Sequence, residues 1–227
     1  PILAIDIPSG LNGTTGETTG SVIHADETIF LGLPKTGFFL SDGWNVVGRL
    51  RAVDFGLPAA LIETAPADFH LIAHEQASNL LPPIQRNRHK YQAGYVIGLA
   101  GSLTMPGAGL LSSLAAFRTG SGMVRLLYPA GMEAELSSSP YELIKIPYLF
   151  DRPEEVRQVM QKAAATFIGP GIGRRADIKA MLQQVVPSLE KPCVIDADAL
   201  TLYAEGAFPL PARAILTPHA GEMQALL

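Results

Sequence analysis

The chain is predicted to be an α/β protein with parallel strands, on three observations. Short, continuously apolar runs recur, each ending in glycine or a polar residue. Between several of them lie stretches with helical apolar spacing. The composition of the 227 residues, 48% hydrophobic and 17% charged, supplies ample core. The charged share is below the roughly 25% of an ordinary globular chain, and with a mean hydropathy of +0.22 it excludes a disordered polypeptide.

The apolar runs are Ile2–Ile7 before Pro8-Ser9-Gly10, and Tyr95–Leu99 before Ala100-Gly101-Ser102. Thr166–Ile168 precedes Gly169-Pro170-Gly171, Cys193–Ile195 precedes Asp196, and Ala214–Leu216 precedes Thr217-Pro218-His219. Runs of this kind suit strands buried on both faces of a helix-covered sheet. Asp151 is expected to cap a helix with Pro153 near its first position and Glu154 and Glu155 in the first turn, where the dipole favours acids. Val156, Val159, Met160 and Ala163 then form one apolar stripe. Ile178, Met181, Leu182 and Val185 repeat that spacing, as do Leu110, Leu111, Leu114 and Phe117, with Gly120 closing the last helix in a left-handed conformation. Alternating strand and helix implies right-handed crossovers. A stretch at 58–68 with Pro58, Pro66 and several alanines, and a polar, proline-broken one at 78–92, suggest two domains, the first ending near residue 66.

The charge balance excludes some partners. Seventeen Lys and Arg stand against 21 Asp and Glu, for a net charge of −4 and no basic run, which leaves no footprint for nucleic acid. No apolar run approaches the ~18 residues of a membrane span, and no secretory leader is evident. A single cysteine, Cys193, excludes an internal disulfide framework and fits a reducing, cytoplasmic setting; within its apolar strand it reads as core rather than nucleophile. The chain opens directly on an apolar run and stops soon after a helix begins, so it reads as an internal fragment.

Ligands of open α/β sheets sit beyond the carboxyl ends of the strands, where every polar signal above falls. Asp6 either accepts hydrogen bonds from ligand hydroxyls or caps its own turn, and Ser9 offers an oxygen to a hard cation. Gly169-Pro170-Gly171-Ile172-Gly173 suits close approach of a phosphate to the backbone, or a tight strand-to-helix turn. It is not the dinucleotide fingerprint, because position 174 is arginine. Gly107 and Ala108 make room for a ligand at a helix start, or for close helix–sheet packing. Asp196 and Asp198 share a face if their strand continues; otherwise one only caps. His219 and Glu222 lie one helical turn apart and serve as ligand contacts or as a structural cap. No Gly-x-Ser-x-Gly elbow or Gly-x-x-x-x-Gly-Lys-Ser/Thr loop is present.

The order of these pieces is more specific than any one of them. Asp6-Ile7-Pro8-Ser9-Gly10-Leu11, Leu33-Pro34-Lys35 and Val53-Asp54-Phe55-Gly56-Leu57-Pro58 resemble the end of the NAD(P)HX epimerase domain. From His89-Lys90 to Glu222 the chain resembles the ADP- or ATP-dependent NAD(P)HX dehydratase domain. The matching stretches are Gly101-Ser102, Gly107-Ala108, Thr119-Gly120-Ser121-Gly122, 169–173, Val194–Leu200 and Leu216–Glu222. The resemblance implies the C-terminal part of a Rossmann-like epimerase domain over 1–66, then most of a ribokinase-like α/β/α domain over 67–227. The family's activity is repair of hydrated nicotinamide cofactors: epimerisation of R and S hydrates with a potassium ion, and dehydration of the S form with ADP or ATP and magnesium.

By resemblance, Asp6 contacts the hydrated nucleotide and Ser9 the potassium ion. Gly107, Ala108, Gly171, Gly173, His219 and Glu222 would surround the hydrate in the second domain, with Asp196 nearby. No catalytic acid can be named, since the Gly-x-Gly-Asp segment that would carry it is expected beyond Leu227. The chain alone is therefore expected to be inactive in both reactions. Two rivals are a ribokinase-like small-molecule kinase, which the first 58 residues disfavour, and a non-catalytic nucleotide-binding protein. The apolar balance is compatible with a homo-oligomer but names no interface.

Overall fold

The computed structural model describes residues 1–67, 69–206 and 208–227. The chain divides into two compact units, Pro1–Pro83 and Ile84–Leu227. In the first, strands β1 (Leu3–Ile5), β2 (Glu27–Leu31) and β3 (Arg49–Val53) pair in parallel in that order. Between β2 and β3 runs the short helix α1 (Gly43–Val46); α2 (Ala59–Glu63) and α3 (His74–Leu80) follow. Phe30, Phe38, Val46, Val47 and Leu11 bury one face of this sheet. The other face carries Leu3 at 53% and Ile5 at 62% exposure, so the expectation that Ile2–Ile7 is buried on both sides is corrected. Alternation puts Ala4 on the covered face and its two neighbours opposite.

The second unit is a six-stranded, fully parallel sheet. In chain order it contains β4 (Tyr95–Leu99), α4 (Pro106–Arg118), β5 (Met123–Pro129), β6 (Ile144–Tyr148) and α5 (Pro153–Met160). β7 (Ala165–Ile168), α6 (Ala176–Val185), β8 (Cys193–Ile195), α7 (Asp198–Ala204), β9 (Ala214–Leu216) and α8 (Ala220–Leu226) complete it. The spatial order is β6-β5-β4-β7-β8-β9, so the chain winds one way from β4 and then the other from β7. Side-chain alternation splits the core into two layers. Ile97, Leu99, Ile168 and Ile195 pack against α5, α6 and α7, whereas Val124, Leu126 and Tyr128 face α4. Helices on both faces make this the α/β/α layering expected of the dehydratase domain.

Three local expectations change. The helix of the 106–118 segment starts at Pro106, and its core-facing residues are Gly109 and Ser113 with Leu110, Ala116 and Phe117, while Leu111 is 70% exposed. The reason is close packing: a Cβ at Gly109 would lie 3.1 Å from the Ala100 carbonyl oxygen, so the small residues set which side faces the sheet. Asp151 does not cap α5; with Pro153 opening the helix, Arg152 takes the cap position and makes no side-chain cap bond. Asp196 and Asp198 do not share a strand face, because β8 ends at Ile195 and Asp198 opens α7. The α6 stripe stands as expected, with Ile178, Met181, Leu182 and Val185 all buried, and Gly120 has a φ of 100° at the end of α4. Cys193 is buried core, and burial pushes its thiol pKa up.

Leu182→Ala should lower the stability of the second unit by about 2–5 kcal/mol, read from guanidinium denaturation followed by circular dichroism. Leu111→Ala, on the solvent side of α4, should change it by no more than about 0.5 kcal/mol.

Candidate functional site

A fully parallel sheet brings all its strand carboxyl ends to one edge, and a crevice opens where the winding reverses. Here that point lies between β4 and β7. The loops leaving these strands are tied together: Gly101 N–H donates to the Pro170 carbonyl at 2.9 Å, and Gly169 N–H to the Leu99 carbonyl at 3.1 Å. Glycine is required in the second loop. Gly169 has a φ of 121°, and a Cβ there would overlap the Asp196 carbonyl and come within 2.7 Å of the Ala199 Cβ. Gly171, at φ 63°, would place a Cβ 2.7 Å from that of Ala108. Ala108 therefore belongs to the packing behind the turn. Gly107 is exposed, and a Cβ on it would meet nothing within 4 Å, so no protein contact explains this glycine.

The Asp196-Ala197-Asp198 segment braces the same turn from β8. Ala197 adopts φ 51° and ψ −125°, a strained conformation for an L-residue. Asp198 Oδ2 accepts from Gly173 N–H at 2.9 Å, while Arg174 Nε lies 3.7 Å from Oδ1. Asp196 Oδ1 accepts from the Thr217 hydroxyl at 2.8 Å, fastening the loop after β9. Next to it His219 caps α8: its Nδ1 accepts from Gly221 N–H at 3.0 Å and Glu222 N–H at 3.3 Å. Glu222 Oε2 accepts from His219 N–H at 2.9 Å in return, completing a capping box. The imidazole is nonetheless 73% exposed.

Met105, Gly171, Arg174, Asp198, His219 and Glu222 all line one open groove of about 380 Å³. His219 and the glycine turn thus share a rim although 48 positions separate Gly171 from His219. Gly173 acts one bond behind the rim, through Asp198, and Asp196 lies outside the groove lining, bonded to Thr217 two residues before His219. Arg174 and Met105 carried no site signal in the sequence. Arg174 had entered only as the residue that breaks a glycine motif.

In the first unit Asp6 directly follows β1 and has a φ of 67°. Its carboxylate is bonded by the Lys35 ammonium and accepts from Leu31 N–H at 3.4 Å, so it ties β1 to the chain leaving β2 instead of capping its own turn. The Lys35 ammonium holds Asp6 below the usual carboxylate range, against the opposing effect of desolvation and with help from the Leu31 amide. Ser9 is exposed, and its carbonyl accepts from Ile23 N–H at 3.0 Å. Lys35, Gly13, Thr14 and Thr36 line a second groove, of about 640 Å³.

Residues 96–227 match the family model of NAD(P)H-hydrate dehydratase, and residues 1–37 match that of the YjeF-related protein N-terminus. Similar curated proteins include the bifunctional NAD(P)H-hydrate repair enzymes Nnr of Dictyoglomus turgidum, 31% identical, and Thermosynechococcus vestitus, 34% identical. Each match covers 100% of this chain and 46% of the relative, so the chain spans less than half the length of these relatives. Among solved structures, a ribokinase-like superfamily protein from Enterococcus faecalis is similar at TM-score 0.58 and 26% identity, over 63% of this chain and 51% of that one. The ADP/ATP-dependent NAD(P)H-hydrate dehydratase from Bacillus subtilis, crystallised with ATP and magnesium, gives TM-score 0.57 and 28% identity over 67% and 53%.

Gly169→Ala should destabilise the second unit by about 3 kcal/mol or more, from overlap and backbone strain together. Ala197→Gly should stabilise it by about 1 kcal/mol by releasing strain. Opposite shifts of the thermal midpoint are the expected readout.

Proposed function

This chain belongs to the NAD(P)H-hydrate dehydratase family, and from that premise we propose that its second unit binds and helps dehydrate hydrated nicotinamide cofactors. Residues 1–66 of the first unit we assign to the companion epimerase, and residues 67–227, which take in the rest of that unit, to the dehydratase part, in a cytoplasmic protein. The observation that carries the reading is the groove at the sheet's reversal point, where the Gly171 backbone, Arg174, His219 and Glu222 come together.

The chemistry explains why a nucleotide is consumed. Hydroxide is a poor leaving group. The C6 hydroxyl of the hydrate gives up its proton to solvent as its oxygen attacks the terminal phosphorus of ADP or ATP, forming a new P–O bond while the donor's bridging P–O bond breaks and AMP or ADP leaves. Phosphate then departs from C6 while the N1 lone pair closes a C6=N1 bond, and loss of a C5 proton restores the dihydropyridine. The residues present here bind and orient. His219 Nδ1 accepts from two backbone amides, so the neutral ring carries its proton on Nε2, which lies 3.4 Å from Glu222 Oε1. That N–H donates to an oxygen of the bound dinucleotide, and Glu222 fixes the ring. Arg174 gives the groove its positive charge for phosphate. Asp196, Gly107, Ala108 and Gly173 shape and brace this wall.

The implied cations fit these residues poorly. Among the described residues no group of three or more His, Cys, Asp or Glu side chains could hold a metal. The carboxylates of Asp196 and Asp198 are already engaged by Thr217 and by Gly173 with Arg174. No step here runs through magnesium. Potassium requires a shell of oxygens, and Ser9 offers one hydroxyl, its carbonyl being bonded to Ile23 N–H; Ser9 is at most one corner of that site.

A protein in which these residues are continued to the length of the curated relatives should restore dihydronicotinamide absorbance from S-NADHX only when ADP or ATP is added. His219→Ala should lower its kcat/KM about tenfold, mainly through KM. Binding of the hydrate without nucleotide-dependent recovery would instead favour the non-catalytic reading.

A further inference from the structure

We propose that Lys35 is a positioning residue of the first unit's hydrate site, holding the Asp6 carboxylate at the edge of the groove that Lys35 itself lines. The inference rests on assigning the first unit to epimerisation, and it adds a residue to that site.

The geometry begins with backbone strain. Asp6 holds a φ of 67°, a left-handed conformation that is unfavourable for a residue with a Cβ, though less so for Asp than for most. Its N–H donates to the Ile29 carbonyl at 2.7 Å, and the unusual turn lets the carboxylate reach the segment that leaves β2. Two groups on that segment receive it, Leu31 N–H and the Lys35 ammonium. Because β1 and β2 are parallel, both segments emerge at the carboxyl edge of the sheet, where ligands of such sheets sit.

Stability does not account for the arrangement. The Asp6 and Lys35 side chains are 41% and 27% exposed, and partly exposed ion pairs contribute little to stability. Among the described residues Lys35 is the one charged side chain bonded to Asp6. Lys35 also borders the groove of about 640 Å³, beside Gly13, Thr14 and Thr36. A Cβ at Gly13 would lie 2.8 Å from Ile7 Cδ1, so a side chain would crowd that wall.

A carboxylate of this kind suits epimerisation at C6. The C6–O bond breaks as the N1 lone pair forms C6=N1, and the departing hydroxide takes a proton from solvent to become water. Water then adds to the opposite face and returns a proton to solvent, so the two epimers interconvert with no net consumption. The intermediate is cationic at N1 and C6, and a fixed carboxylate beside it lowers its energy. Lys35 sets the carboxylate's direction and keeps it ionised to lower pH. Paired to Lys35, Asp6 titrates below its ordinary range, so loss of the ammonium should move that titration upward.

Carbon-detected NMR on the protein continued at both ends to the length of the curated relatives, with Asp6 as the observed carboxyl, tests this with a mixture of R- and S-NADPHX as probe. Lys35→Met should raise the Asp6 carboxyl pKa and weaken hydrate binding about tenfold, and Lys35→Arg should restore both to near wild type. Equal hydrate affinity in wild type and Lys35→Met would overturn the role of Lys35 alone. If the hydrate causes no shift at Asp6 in the wild-type chain, the epimerase assignment falls, and this inference with it.

Discussion

Backbone meeting backbone at Gly169 and Asp196 is the contact on which the second unit's groove depends. A side chain at 169 would overlap the Asp196 carbonyl, so only glycine lets the loop after β7 lie against the loop after β8. From there polar bonds spread outward. Asp198 holds Gly173, Asp196 holds Thr217, and the loop after Thr217 carries His219. Each bond is worth about 1 kcal/mol on its own. Together they place three loops, from three neighbouring strands, in one geometry before any ligand arrives.

Strain recurs within two residues of a strand's carboxyl end in both units. Asp6 follows β1 at φ 67°, and Ala197 follows β8 at φ 51°. Each turns the chain sharply at the carboxyl end of a parallel strand and directs a carboxylate sideways, to Lys35 in one case and, through Asp198, to Gly173 in the other. Such conformations persist only where their surroundings hold them. The rigid strand below supplies that support, and the rim gains side chains aimed across it instead of along the chain.

Much of the second sheet could be read directly from the residues. The runs at 95–99 and 193–195 coincide with β4 and β8, because buried parallel strands leave an unbroken apolar signature; the run at 214–216 is β9, but as the edge strand it leaves Ile215 56% exposed, which corrects the expectation of burial on both faces. The strands that gave no such signature are the interrupted ones. β3 reads Arg-Leu-Arg-Ala-Val and is largely exposed, β6 contains Lys145 and Pro147, and β5 contains Arg125, whose guanidinium lies over the Tyr95 ring. Helix α4 misled in another way. Its bulkiest residues suggested one stripe, while the buried side was chosen by the small residues Gly109, which approaches Ala100, and Ser113.

Residue order alone determined that strands and helices alternate, that glycines and carboxylates punctuate the strand ends, and that the motifs run in the order of the hydrate-repair family. Those properties are local, set by runs of a few residues or by their succession. Tertiary structure decided what each polar group does: Asp196 and Asp198 separate to different partners, His219 is both cap and groove wall, and Arg174 and Lys35 become groove residues. These outcomes depend on which strand ends lie side by side, and the reversal of winding between β4 and β7 brings together segments far apart in the chain.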